Sequence, residues 1–276
     1  MNPYLRLACT AFAMLLFTIP ASGQTVDPAL KALIDGPQRS EKNRARDPYR
    51  HPAEALTFFG VTPHSVVVEI LPGAGGYWTE ILAPYLKAEG RYIAANGEKD
   101  TASEETRKDN AGFEAKLAAD PADYGKVEIT EFGADRHEIA PAGSADFVLT
   151  FRNVHNWMAH GETAAAFRTF YAALKPGGVL GVEEHRARDD QPQDPLAKSG
   201  YVRQDVAVQL RRSRGLQIRR ELGDQRQSEG YERLFRWRLG AAADLSAERS
   251  GSRQIRRDRR ERPVHAEIRE AGALSD

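Results

Sequence analysis

Cysteine is nearly absent from this chain: Cys9 is the only one among 276 residues. It lies in the N-terminal segment, so a mature protein without that segment has no disulfide, no thiol nucleophile and no thiolate metal site. Net charge is absent too. The 39 basic and 39 acidic residues cancel, and no global field draws the chain to nucleic acid or to a membrane surface. No His, Asp and Glu cluster has metal-ligand spacing, and no internal repeat is visible. The one long apolar run, Leu7 to Ile19, is too short to span a bilayer comfortably. Lysine is missing from the C-terminal quarter: residues 211–276 carry 17 Arg and no Lys, whereas residues 1–210 carry 13 Arg and 9 Lys.

What is present begins with an export signal. Arg6 precedes the apolar run, and Pro20-Ala21-Ser22-Gly23 follows it before Gln24. Residues 1–23 therefore read as a signal peptide and place the mature protein in the periplasm or outside the cell, off the membrane once the signal is removed. Residues 24–60 form a polar lead with a helical patch at Leu30 to Ile34 and a proline-bounded turn from Arg46 to Pro52. A helix from Ala53 to Phe59 follows, closed by Gly60.

From residue 61 to 210, strands alternate with helices, which argues for a doubly wound, mostly parallel α/β sheet. Expected strands are Val66–Leu71, Arg91–Ala95, Lys126–Phe132, Asp146–Phe151 and Val179–Glu184. Expected helices are Trp78–Lys87, about Ala102–Leu117 and Glu162–Leu174, the last stopped by Lys175-Pro176-Gly177-Gly178, with another starting near Tyr201. The informative stretch runs from Val66-Val67-Val68-Glu69-Ile70-Leu71 through Pro72-Gly73-Ala74-Gly75-Gly76 to Tyr77-Trp78-Thr79. A buried strand ends in an acid, a glycine turn follows, and a helix starts. Glycines there let the backbone approach a ligand closely. The G-x-G-G spacing departs from the G-x-G-x-x-G of dinucleotide sites.

This stretch resembles motif I of class I S-adenosylmethionine (SAM) methyltransferases. Glu69, Gly73 and Gly75 match, and Leu71 stands where a first glycine is usual. Ala145 to Thr150 resembles the fourth strand of these enzymes, and Leu174-Lys175-Pro176-Gly177-Gly178 their turn before the fifth. Asp47 to Arg50, Phe58-Phe59-Gly60, Arg152 to Trp157 and Glu184 to Ala187 resemble a family of exported SAM-dependent methyltransferases, over about residues 45–210.

The resemblance implies SAM as cofactor and a Rossmann-like methyltransferase fold. It places Glu69 near the methionyl end or the ribose, with Pro72, Gly73, Ala74, Gly75 and Gly76 as the backbone cradle. Asn96 or Glu98 would take the ribose hydroxyls at the end of the second strand. Asp135 would reach the adenine amino group. The loop after the fourth strand would serve the acceptor: Arg152 near the cofactor, Asn153 orienting the acceptor, His155 as general base, and Trp157 against the cofactor or a cation. His185 points to the site rim, and Arg50 with His51 would form a lid. The expected activity is methyl transfer to a small-molecule acceptor, without nucleic acid. A nucleotide-dependent oxidoreductase and a non-catalytic exported SAM binder are the alternatives, the latter favoured by export, because SAM is made in the cytoplasm.

The tail breaks the pattern. Back-translated and read one base later, Arg211 to Arg219 gives AEAAGFKF, Arg236 to Gly240 gives DGVWA, and Gln254 to His265 gives KYAAIGESDRFT. These strings resemble the closing segment of the same exported family. The expectation is a one-base frameshift near codon 210, an atypical tail over 211–276, and loss of the hairpin that closes such sheets, leaving the fifth strand as an exposed edge. The alternative is a genuine Arg-rich tail for an acidic partner.

Overall fold

The computed structural model describes residues 25–100 and 103–206, and the backbone of 223–227 and 230–238. The expected signal segment with Cys9, the expected frameshift near codon 210 and the rest of the tail lie outside the described residues. An N-terminal arm comes first: α1 (Pro28–Ile34), α2 (Glu41–Arg44), α3 (Asp47–Arg50) and α4 (Pro52–Phe59). The expected turn at 46–52 is thus helical, broken only at His51, which sits left-handed at φ 42° before Pro52. Gly60 ends α4 at φ 85°, as a glycine after a helix should.

Five parallel strands follow: β1 (Val66–Ile70), β2 (Arg91–Gly97), β3 (Glu128–Phe132), β4 (Ala145–Phe151) and β5 (Leu174–His185). Helices α5 (Thr79–Leu86), α6 (Glu104–Ala119), α7 (Pro121–Tyr124), α8 (Val154–His160) and α9 (Thr163–Ala173) connect them. The sheet order reverses between β1 and β4, which is where a doubly wound sheet opens a crevice at its strand C-terminal ends. β1 is β-branched because both its faces are covered. Val67 packs with α1, α4 and α5, while Val68 and Ile70 pack with α8 and α9.

Pro84 inside α5 has no N–H for the carbonyl of Glu80, and Gln38 Nε2 approaches that oxygen from the arm at 3.5 Å. β5 starts earlier than expected, at Leu174 directly after α9. Ala145 pairs with Leu174 and Phe147 with Val179, so Lys175 to Gly178 bulge outward, with Gly177 at φ 81°.

The expected loss of the closing hairpin is corrected. β6 (Gly223–Gln227) and β7 (Gly230–Arg238) are present, and β7 pairs antiparallel with β5, giving the order β3-β2-β1-β4-β5-β7-β6. The register sets Phe235 opposite Val182 and Trp237 opposite Leu180. Tyr231, Phe235 and Trp237 alternate with charged and aliphatic residues, a strand-forming pattern that the arginine count concealed. β5 is therefore an interior strand.

Candidate functional site

The turn after β1 is left-handed at three points: Leu71 (φ 53°), Gly73 (φ 68°) and Gly76 (φ 50°). Leu71 occupies the position where the related motif has glycine and keeps the conformation a glycine would take, at a backbone cost of about 1 kcal/mol. Its N–H donates to the carbonyl of Ala95 at 2.9 Å, which holds the turn against β2. A Cβ on Gly73 would meet nothing within 4 Å, so that face of the turn opens into space. The space is a cavity of about 270 Å³ lined by Glu69, Pro72, Gly73, Gly75 and Gly76, with Arg46, Arg50, Tyr77, Trp78 and Phe151 around them.

Glu69 forms the cavity's polar wall. It is 2% exposed, and Tyr92 donates its hydroxyl to it while also bonding Thr79 Oγ1 at 2.8 Å. Burial pushes the Glu69 carboxyl up to about 7, against the Tyr92 hydrogen bond and the charge of Arg50, which both lower it. Trp78 stacks on Phe151 at 4.2 Å, and its buried Nε1 has no partner among the described residues.

The arm roofs this cavity. Tyr77 donates to Asp47 Oδ1 at 2.6 Å, and Arg39 grips both Asp47 oxygens at 2.6 and 2.9 Å. The guanidinium carbons of Arg39, Arg46 and Arg50 stand 5.0, 5.1 and 5.0 Å from the Tyr77 ring centre. Asn43 Nδ2 donates to the carbonyl of Gly75 at 2.9 Å. Glu80, fully buried, accepts from Lys116 Nζ at 2.6 Å and from the N–H of Ser40 at 3.2 Å. Of the lid expected at Arg50 and His51, Arg50 is buried in the cavity wall, 3.9 Å from Glu183, and His51 is half-buried at the α3–α4 junction. Arg39, Asn43 and Glu80 carry no individual signal in the sequence, and Arg46, Asp47 and Tyr77 stand there only within longer stretches, without a role of their own.

A second polar group sits beyond β4. Arg152 is left-handed at φ 63°, and its Nε lies 3.3 Å from Glu183 Oε1. Asn153 Nδ2 donates to Thr150 Oγ1 at 3.1 Å and to the carbonyl of Ile70 at 3.4 Å, tying the start of α8 to the cavity wall. Glu184, buried at the end of β5, accepts from the N–H groups of Val154 (2.8 Å) and His155 (3.3 Å) and lies 3.0 Å from His155 Nδ1. An ionised carboxylate only accepts, so Nδ1 carries the proton and Nε2 is left as the basic atom. The Glu184 hydrogen bond raises the His155 pKa, outweighing burial and the nearby Arg152. The His185 ring lies 6.2 Å from that of His155, at the rim. Trp157 does not face the site: it is buried under the sheet against Phe132 and Phe170, because α8 turns that side of the helix inward.

The remaining sequence candidates lie away from the cavity wall. Asn96 is 2% exposed at the end of β2, and its Nδ2 has no hydrogen-bond partner among the described residues. Glu98 is buried and accepts from the N–H of Asp135 at 3.2 Å, and a Cβ on Gly133 would fall 2.4 Å from its Oε2. Glu98 thus shapes the loop that carries Asp135, whose own side chain is exposed. Ala74 faces α6, where a Cβ on Gly112 would stand 2.9 Å from it. Among the described residues, no group of three His, Cys, Asp or Glu could hold a metal, and no helix is long and apolar enough to cross a membrane.

Solved structures share this architecture. A SAM-dependent methyltransferase from Aquifex aeolicus superposes with TM-score 0.53 at 18% identity, over 78% of this chain and 100% of that one. The fold is that of the class I SAM-dependent methyltransferases. An arsenic(III) SAM methyltransferase from Chlamydomonas reinhardtii matches with TM-score 0.50 at 14% identity, over 78% of this chain and 74% of that one. A possible exported protein from Bordetella parapertussis matches with TM-score 0.50 at 12% identity, over 76% and 78% of the two chains. No family model matches the chain, and no curated protein is significantly similar to it. Within this methyltransferase fold, the residues present fit SAM: the turn offers open space beside Gly73, Glu69 offers a buried carboxyl, and Asn96 holds an amide at the end of β2 that no described residue satisfies.

Proposed function

We propose that the chain is a SAM-dependent methyltransferase acting on a small acceptor. The observation that carries this reading is the cavity at the β1–β4 reversal, walled by the left-handed glycine turn and by buried Glu69. Bound SAM supplies a sulfonium-activated methyl group for direct displacement by an acceptor nucleophile. The protein's part is to hold the two reactants in line and keep water out. Glu69, Pro72, Gly73, Gly75 and Gly76 bind one end of the cofactor, with Ala74 completing the turn. Asn96 and Glu98 with its Asp135 loop flank the ribose and adenine side. Arg152 holds Glu183 beside the cavity, and Asn153 fixes the start of α8. His155 Nε2 takes the acceptor's proton, and Glu184 keeps the imidazole in the tautomer that allows it.

The expected setting is outside the cytoplasm, following the signal-like N-terminus. Calorimetry with SAM and with NAD tests the reading first. SAM binding without NAD binding, followed by labelled methyl appearing in an acceptor, supports it. NAD binding alone turns the assignment to an oxidoreductase, and SAM binding with no transfer to any acceptor leaves a binding protein.

A further inference from the structure

Arg46 carries a charge that no carboxylate among the described residues neutralises. Of the three arginines around Tyr77, Arg39 is held by Asp47 and Arg50 stands 3.9 Å from Glu183. Among the described residues no carboxylate lies within ion-pair distance of Arg46. Its guanidinium sits over the Tyr77 ring at 5.1 Å, with Nη1 3.5 Å from Asn43 Oδ1, and the residue is half-buried in the wall of the cavity that contains Glu69. Stacking and the Asn43 contact fix the guanidinium plane before a ligand arrives.

The cavity wall therefore holds one buried carboxyl, one oriented cation that no described carboxylate pairs, and the glycine turn. An α-amino acid carries the complementary pair, an ammonium and a carboxylate. Resting on the methyltransferase reading, we propose that Arg46 is the receptor for the α-carboxylate at the amino-acid end of the cofactor, with Glu69 facing its ammonium. The arm then joins Glu69 of β1 in deciding whether a ligand with an amino-acid end is preferred over a bare thionucleoside.

The test is calorimetry on the full chain and on Arg46→Met, with S-adenosylhomocysteine and with 5′-methylthioadenosine, which lacks the amino-acid end. Methionine keeps an apolar stem over Tyr77. The dissociation constant for S-adenosylhomocysteine is expected to rise by roughly 10- to 100-fold, the range for a lost charged hydrogen bond. That for 5′-methylthioadenosine should stay within about twofold. Arg46→Lys, which keeps the charge without the fork, should fall between, and it serves if the methionine variant melts abnormally. Equal losses for both ligands, or a loss below about threefold for S-adenosylhomocysteine, overturns the assignment while leaving SAM binding intact. Failure of both ligands to bind the unsubstituted chain removes the methyltransferase reading, and the Arg46 assignment with it.

Discussion

Replacing Glu69 with glutamine separates what this carboxylate does for folding from what it does for the ligand. In the folded chain burial lifts its pKa from 4.5 to about 7. The unfolded chain releases the proton near 4.5 and the folded chain near 7, so stability falls as pH rises through that interval and levels off above it. At about 1.4 kcal/mol per unit, the ionised carboxylate costs roughly 3 kcal/mol at pH 8. Glutamine occupies the same volume, keeps an oxygen for the Tyr92 hydroxyl and carries no charge. Glu69→Gln should therefore match the parent chain at pH 4.5 and exceed it by roughly 3 kcal/mol at pH 8. For a chain of this size that is on the order of 5–10 °C in Tm. Melting curves at the two pH values, with urea titrations as a check, measure the difference. The same variant should lose SAM affinity. A variant less stable than the parent at pH 8 but equal to it at pH 4.5 would refute the reasoning, because it would show that the ionised carboxylate stabilises the fold.

Gly73→Ala should lose about 1 kcal/mol of stability from its left-handed backbone and weaken SAM binding more than about tenfold, since the new methyl enters the cavity; calorimetry on the folded variant reads both. Arg39→Ala leaves Asp47 without its bidentate partner and should lower stability by roughly 3–5 kcal/mol in urea titration. Gly181→Ala puts a methyl 2.5 Å from Leu149 Cδ2 and 2.9 Å from Phe59 Cδ1, and overpacking of this kind should cost roughly 1–3 kcal/mol in the same assay. His155 has a raised pKa, so its contribution to stability is present below its ordinary pKa and is lost as pH rises through the folded value. Glu184→Gln should abolish that contribution and move the rising limb of the methyl-transfer pH profile to lower pH. An unmoved limb would exclude His155 as the base.

The parallel sheet was legible because its strands are β-branched and its turns are written in glycine. The run Val66 to Ile70, the turn at Gly73 and the cap at Gly60 each announce a local backbone state. The arm network was not legible. Arg39, Asp47, Tyr77 and Glu80 meet only in three dimensions, and no spacing in the chain marks their union. Helix α8 is seven residues long and begins straight off β4 without a capping bond from Asn153, so it gave no start signal. The same brevity hid which way it faces, and Trp157 was assigned to the site instead of the core. In the tail, composition overruled pattern: the arginine excess hid an alternation that pairs with β5.

The arm is made first but can be placed only late. Asp27 waits for Tyr85, Asn43 for Gly75, Asp47 for Tyr77, and the Glu80 that receives Ser40 waits in turn for Lys116. These are long-range closures, slow to form and costly in chain entropy until the βα units exist. A chain emerging from its N-terminus therefore lacks the last tie of the roof over the glycine turn until α6 has followed. The wall itself is complete only when β4 brings Phe151 onto Trp78, so the roof is tied down before the room beneath it is closed.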